Sequence, residues 1–213
     1  MASDSDKKSH FQIFLSFVSF NLVFNIALSV QGIIILKLVS PVIAGIWLGL
    51  QLIQNYGIQL HFGILNGMAR QIPFYFGRGL QDMASRVESV SRFSIFMLSI
   101  FYLVLAFVFM ASGIVKDEWN VPICTMFIIT ILRLNLEFHI GLFKATQQFN
   151  KATIIIGFEV LLMCLALPLV YFFQLEGLLL RSFICTIILI FLALRLNSYN
   201  LKISLDKQLL KEV

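Results

Sequence analysis

Charge is scarce in this chain. Asp, Glu, Lys and Arg make up 13% of its 213 residues while 59% are hydrophobic, whereas a soluble domain carries about 25% charged and about 45–50% apolar residues. That shortage excludes an ordinary water-facing surface, so most of the chain is built for lipid. Proline is rare as well, at four residues, which leaves long helices uninterrupted. Catalytic signatures are missing: there is no G-x-S-x-G, no H-E-x-x-H, no P-loop and no clustered Asp motif of the kind that binds a metal and a diphosphate. The sequence therefore reads as a non-enzyme that needs no cofactor and no metal. Its three cysteines, Cys124, Cys164 and Cys185, lie in apolar stretches without C-x-x-C spacing or a neighbouring His, and read as small hydrophobes. The net charge of +5 is scattered over the ends of apolar segments rather than massed on one face, which argues against nucleic acid as a partner.

What is present in quantity is the apolar run. The hydrocarbon core of a bilayer is about 30 Å thick and takes roughly 20 helical residues, and six such stretches fit. The reading is an all-α membrane protein, a six-transmembrane-helix bundle. A polar tail over 1–10 precedes helices at about 11–36, 42–69, 93–115, 122–143, 152–173 and 178–196, and a second tail covers 197–213. The first run is too long for a signal-peptide core and lacks an A-x-A-like site after it, so it stays as a spanning helix. Ser40-Pro41 opens the second helix. A basic stretch from Arg70 to Arg92, with Pro73, Gly77 and Gly79 as turn residues and an amphipathic piece around Leu80 to Val90, separates the second from the third. Pro168 marks a kink late in the fifth, and residues 174–177 form a tight turn. Strands of a membrane barrel would alternate polar and apolar residues, and runs such as Phe93 to Met110 do not.

Orientation follows from Lys and Arg. Twelve of them, from Lys7 and Lys8 through Arg70, Arg78, Arg86 and Arg92 to Lys207 and Lys211, lie on one side. Three, Lys37, Lys116 and Arg181, lie on the other, with Arg133 set apart as lying within a span. Cytoplasmic loops carry the excess, so both termini are expected in the cytoplasm.

Polar side chains inside apolar helices are costly unless they meet a partner or water. At 100° per residue, Gln51, Asn55, Gln59, Asn66 and Arg70 share an arc of about 100° on the second helix. Asn21, Asn25, Ser29 and Gly32 share about 80° on the first, and Thr130, Arg133, Glu137 and Lys144 about 60° on the fourth. Isolated polar groups serve helix packing, but three stripes together predict a hydrated cavity. Within it, Arg133 and Glu137 at i,i+4 either neutralise each other or leave Arg133 to contact an anion. Glu159 either senses a proton or ion, or pairs with Arg133 or Lys144. His61, off the stripe, reads as a hydrogen-bonded helix contact.

Three passages, in order along the chain, carry a family resemblance. They are Ser40-Pro41-Val42-Ile43-Ala44-Gly45-Ile46-Trp47; Gly63-Ile64-Leu65-Asn66-Gly67-Met68-Ala69-Arg70-Gln71-Ile72-Pro73 followed by Gly77-Arg78-Gly79; and Phe143-Lys144-Ala145-Thr146-Gln147-Gln148-Phe149 leading to Leu167-Pro168-Leu169-Val170-Tyr171 and Glu176-Gly177-Leu178. Together they resemble the polysaccharide and oligosaccharide (O-antigen-type) flippases of the multidrug/oligosaccharidyl-lipid/polysaccharide exporter superfamily. The resemblance implies one lobe, the N-terminal one, of a two-lobe transporter. Such a protein moves a lipid-linked oligosaccharide of polyprenyl diphosphate type across a bacterial or archaeal inner membrane by alternating access. It also implies a second lobe as partner, beside membrane lipids. On that reading Arg133 and Arg70 meet the diphosphate through bidentate guanidinium contacts, and Asn21, Asn25, Gln51, Asn55 and Gln59 bind sugar hydroxyls. Two competitors stand beside it. One is a cation-coupled small-molecule or drug exporter lobe with Glu159 as the coupling acid; the other is a non-transporting scaffold subunit presenting its basic tail.

Overall fold

The computed structural model describes residues 4–112 and 117–196, with side chains from Val18 onward except at 113–118. Among the described residues there are seven helices and no strand: α1 (Asp4–Leu38), α2 (Pro41–Gln59), α3 (Ile64–Gly77), α4 (Gln81–Ala111), α5 (Asp117–Ala145), α6 (Phe149–Leu165) and α7 (Leu167–Leu196). The tail from 197 onward, with Lys202, Lys207 and Lys211, lies outside the described residues.

Local chemistry explains where these helices begin and end. α1 starts at Asp4, seven residues ahead of the apolar run, because neither glycine nor proline occurs between Asp4 and Gln31 to stop it. The segment expected as a polar tail is thus mostly helix. Ser40 caps α2 in extended backbone (φ −65°, ψ 152°), its hydroxyl accepting from the Ile43 amide at 3.4 Å, and Pro41 fills the first helical position.

The second expected helix, 42–69, is in fact two. The chain breaks between Gln59 and Ile64, where Phe62 (φ 49°) and Gly63 (φ 79°) turn left-handed. Gly63 takes that conformation without a Cβ penalty, and His61 Nδ1 holds the corner by accepting from the Gly63 amide at 3.1 Å. The basic stretch after it also departs from expectation. Pro73 and Gly77 lie inside α3 rather than in turns, and only Arg78–Leu80 connects to α4. The amphipathic piece and the third expected helix are one continuous rod, Gln81–Ala111, because Ala84, Val87 and Val90 bury the same face that Ile95, Leu98 and Tyr102 continue.

The last two passages meet at a break before Pro168 and a reversal at Gln174. α6 stops at Leu165, because Pro168 has no N–H to bond the Cys164 carbonyl and its ring would clash there, and Pro168 instead takes an early position of the next helix. Helical backbone then resumes through α7, interrupted at Gln174 (φ 50°, ψ −117°). A Cβ on Gly177 would lie 2.1 Å from the Leu169 carbonyl oxygen, although eight residues along an unbroken helix span about 12 Å. The chain therefore doubles back at Gln174: residues 167–173 finish the fifth passage and residues 175–196 make the sixth. Six apolar passages result, as the sequence suggested.

α5 is the central helix. Its side chains enter all three apolar clusters: with Met68, Ile72, Val87 and Ile95 of α3 and α4; with Ile35, Trp47, Leu50 and Leu178 of α1, α2 and α7; and with Ile155, Leu189 and Ala193 of α6 and α7. One junction shows how closely it is held. A Cβ on Gly57 would meet the Thr130 methyl at 2.6 Å, so α2 and α5 approach through a glycine, and the Gly57 carbonyl accepts the Tyr102 hydroxyl of α4 at 2.6 Å.

The exterior is inverted relative to a protein built for water. Leu22, Phe107, Phe172 and Phe191 are each more than 60% exposed, far beyond the scattered apolar residues of a soluble surface. Four helical stretches, Val18–Leu38, Gln81–Ala111, Trp119–Ala145 and Leu167–Leu196, are long and apolar enough to cross a membrane. The last still qualifies after its break, since 175–196 alone meets the roughly 20-residue requirement.

Candidate functional site: a charged cavity in the helix bundle

α1, α2, α5, α6 and α7 enclose a half-open cavity of about 510 Å³. Its wall mixes apolar residues such as Ile35, Trp47 and Met163 with Gln31, Gln51, Gln54, Asn55, Arg133, Glu137, Glu159 and Arg181. Amides and charges thus gather inside a bundle whose outside is hydrocarbon-like.

Five of the nine residues predicted for the site come together there: Gln51, Asn55, Arg133, Glu137 and Glu159. Arg133 is the hub. Its Nη2 lies 3.3 Å from Glu137 Oε1 on the same helix, and its Nη1 donates to Glu159 Oε1 of α6. Arg133 thus forms the i,i+4 pair with Glu137 and also takes Glu159, which pairs with it rather than with Lys144. Thr130, on the same stripe, is fully buried and donates to the Met126 carbonyl at 2.8 Å; it serves the α2 junction.

Four residues fall elsewhere. Asn21 is half-buried and Asn25 exposed on α1, away from the cavity wall; Asn25 Nδ2 donates to the Asn21 carbonyl and the Ser29 hydroxyl to the Asn25 carbonyl, each at 2.9 Å. A polar side chain that bonds its own helix forms a stripe without needing a cavity. Gln59 is exposed at the end of α2, and Arg70 is exposed on α3. Arg70 was joined to Gln51 by assuming one straight helix, and the corner at Phe62–Gly63 breaks that phase; Gln59 keeps the phase but is the last residue of α2, past Ile58 on the cavity wall.

Gln31, Gln54 and Arg181 were missed. Gln31 projects well away from the Asn21 stripe on a helical wheel, and Gln54 flanks the Gln51–Asn55 arc on the side away from Gln59. Arg181 counted as a flank charge, yet it is 5% exposed within α7. The available signal was its setting, Gly-Leu-Leu-Leu-Arg-Ser-Phe-Ile-Cys, apolar on both sides. Its Nε and Nη1 are buried without a hydrogen-bond partner, and so is Gln31 Nε2. Ser182 and Thr186, next to Arg181 on the wall, donate instead to the carbonyls of Leu178 and Ser182 one turn back.

Among the described residues no three His, Cys, Asp or Glu side chains converge as a metal site requires. No family model, curated protein or solved structure matches the chain.

Proposed function

We propose that this chain is a six-span membrane transporter lobe, both termini in the cytoplasm of a bacterial or archaeal cell, that carries a hydrophilic cargo through the cavity by alternating access. The single observation behind the reading is the cavity itself, polar and charged at the level of helices built for lipid. A group of this kind inside a membrane marks a substrate or ion pathway more often than packing. The quoted motifs narrow the cargo to a lipid-linked oligosaccharide of polyprenyl diphosphate type. Its lipid tail stays in the bilayer while the sugars pass Gln51, Gln54 and Asn55, whose amides both donate to and accept from hydroxyls. A second lobe, from another chain or a further segment, would close the open side of the cavity.

A cation-coupled exporter of small molecules is the competing reading, and Glu159 is the observation that favours it. Its carboxylate is engaged by Arg133, so it would have to leave that partner to take up a cation. A scaffold subunit has no use for a cavity of this composition.

Single cysteines at 51, 55, 78 and 104, in a background with Cys124, Cys164 and Cys185 replaced by alanine, test the reading with a membrane-impermeant maleimide. Positions 51 and 55 should label at rates near that of the loop position 78, while 104, on the outer face of α4, should stay unlabelled. If 51 and 55 behave like 104, the cavity is dry and the transport reading is lost.

A further inference from the structure

We infer that Arg181 and Gln31 form an oxyanion-binding subsite in the cavity, taking a phosphate or carboxylate group of the cargo. The inference rests on the transport reading above and moves the anion contact away from Arg133 and Arg70. Arg133 is committed to two carboxylates, and Arg70 is exposed on α3 outside the cavity. Arg181 has neither restriction: it is 95% buried, lines the cavity, and leaves two guanidinium nitrogens unpartnered.

Charge decides between an anion and plain water as its partner. Water can satisfy the N–H groups of a buried guanidinium, but it does not neutralise it, and an uncompensated buried charge is costly. The two acids of the cavity, Glu137 and Glu159, already face Arg133. Among the described residues of the cavity wall no acid is left for Arg181, and a bound oxyanion would supply the missing counter-charge. Gln31 Nε2, buried and unpartnered on the same wall, adds a neutral donor. Ser182 and Thr186 spend their protons on their own helix and so add only acceptor oxygens beside Arg181. A cavity of about 510 Å³ has room for a sugar or diphosphate head group.

The diphosphate of a lipid carrier and the carboxylate of an acidic sugar share this chemistry, and a binding experiment separates them. In the full chain in lipid nanodiscs, Trp119→Phe leaves Trp47, on the cavity wall, as the reporting fluorophore. Farnesyl diphosphate and glucuronate serve as probes, with farnesol and glucose as uncharged counterparts. Saturable change with farnesyl diphosphate identifies the carrier diphosphate as the source, and with glucuronate the acidic sugar. Arg181→Gln should weaken that binding roughly ten- to hundredfold, the worth of one charge-assisted contact. Arg181→Lys should retain part of it, Gln31→Ala should weaken it less than Arg181→Gln, and Arg78→Gln, a cation outside the cavity, should change nothing. Should Arg181→Gln fail to fold, Arg181→Lys and Gln31→Ala still carry the comparison.

The subsite is overturned if neither acid saturates, if the uncharged counterparts bind as well, or if binding is unchanged in the Arg181 variants. Failure of the subsite is distinct from failure of the transport reading: a cavity that labels at 51 and 55 but binds neither acid loses only the subsite, whereas a dry cavity loses both.

Discussion

Arg133 draws together side chains from two helices, and its removal leaves more behind than it takes away. Replacing it with glutamine strands both Glu137 and Glu159, the latter 5% exposed at its side chain. Stranding a buried partner costs about 3–5 kcal/mol, and the water expected in the cavity puts this case at the lower end. Glu159→Gln leaves Arg133 still paired with Glu137, so it should cost less. The double variant Arg133→Gln, Glu159→Gln should recover much of the Arg133→Gln loss, because the two sites are coupled. Thermal unfolding of the detergent-solubilised variants checks the order; simple additivity would mean that the pair is not formed. Spacing alone brought Arg133 and Glu137 together, since i,i+4 neighbours share a face. The choice of partner for Glu159, 26 residues away from Arg133, needed α6 packed beside α5. Arg181 and Gln31 were hidden for a different reason. Angular position on one helix cannot tell a side chain facing four neighbours from one facing lipid.

The corners of the helices were partly legible. Ser40-Pro41 reads directly as a helix start, and the structure uses both residues in that way. The corner at Phe62–Gly63 was not, because a lone glycine in an apolar run is as compatible with a continuous helix as with a break. Turn residues misled in the opposite direction at Pro73 and Gly77, which α3 absorbs near its end. Gln174 offers a clean test at this scale. It sits at φ 50°, ψ −117°, a backbone region that side chains with a Cβ rarely adopt and that costs of order 1–3 kcal/mol. Gln174→Gly should therefore raise the unfolding temperature, with a gain of about 1 kcal/mol after the added freedom of the unfolded chain is offset. Gln174→Ala should leave it near the original value. A lower midpoint for the glycine variant would show that the reversal is held by the glutamine side chain and not merely tolerated by it.

For the whole molecule, the count of six apolar passages came from hydropathy and survives the rearranged corners, because lipid constrains total length more than the position of each bend. The positive-inside count needs one revision: Arg181 is buried and leaves the tally, so the asymmetry on which the proposed orientation rests becomes twelve against two. Reporters fused at Met1 and inserted after Arg78 should both read cytoplasmic, and one inserted after Ser112 should read external. Opposite sides for the first two would require an odd number of crossings between them.

The unjointed length of α4 has a mechanical consequence. Its 31 residues extend about 46 Å, longer than the roughly 30 Å of a hydrocarbon layer, so in a bilayer its polar beginning around Asp82 and Arg86 would be a lever standing clear of the oily layer. Neither glycine nor proline interrupts the rod, and Tyr102 bonds it to Gly57 on the helix that bears Gln51 and Asn55. A push on that lever at the head groups would be felt as a shift of the cavity wall, and Tyr102→Phe should weaken that coupling without ending it, because α2 and α4 still share α5 as a packing partner.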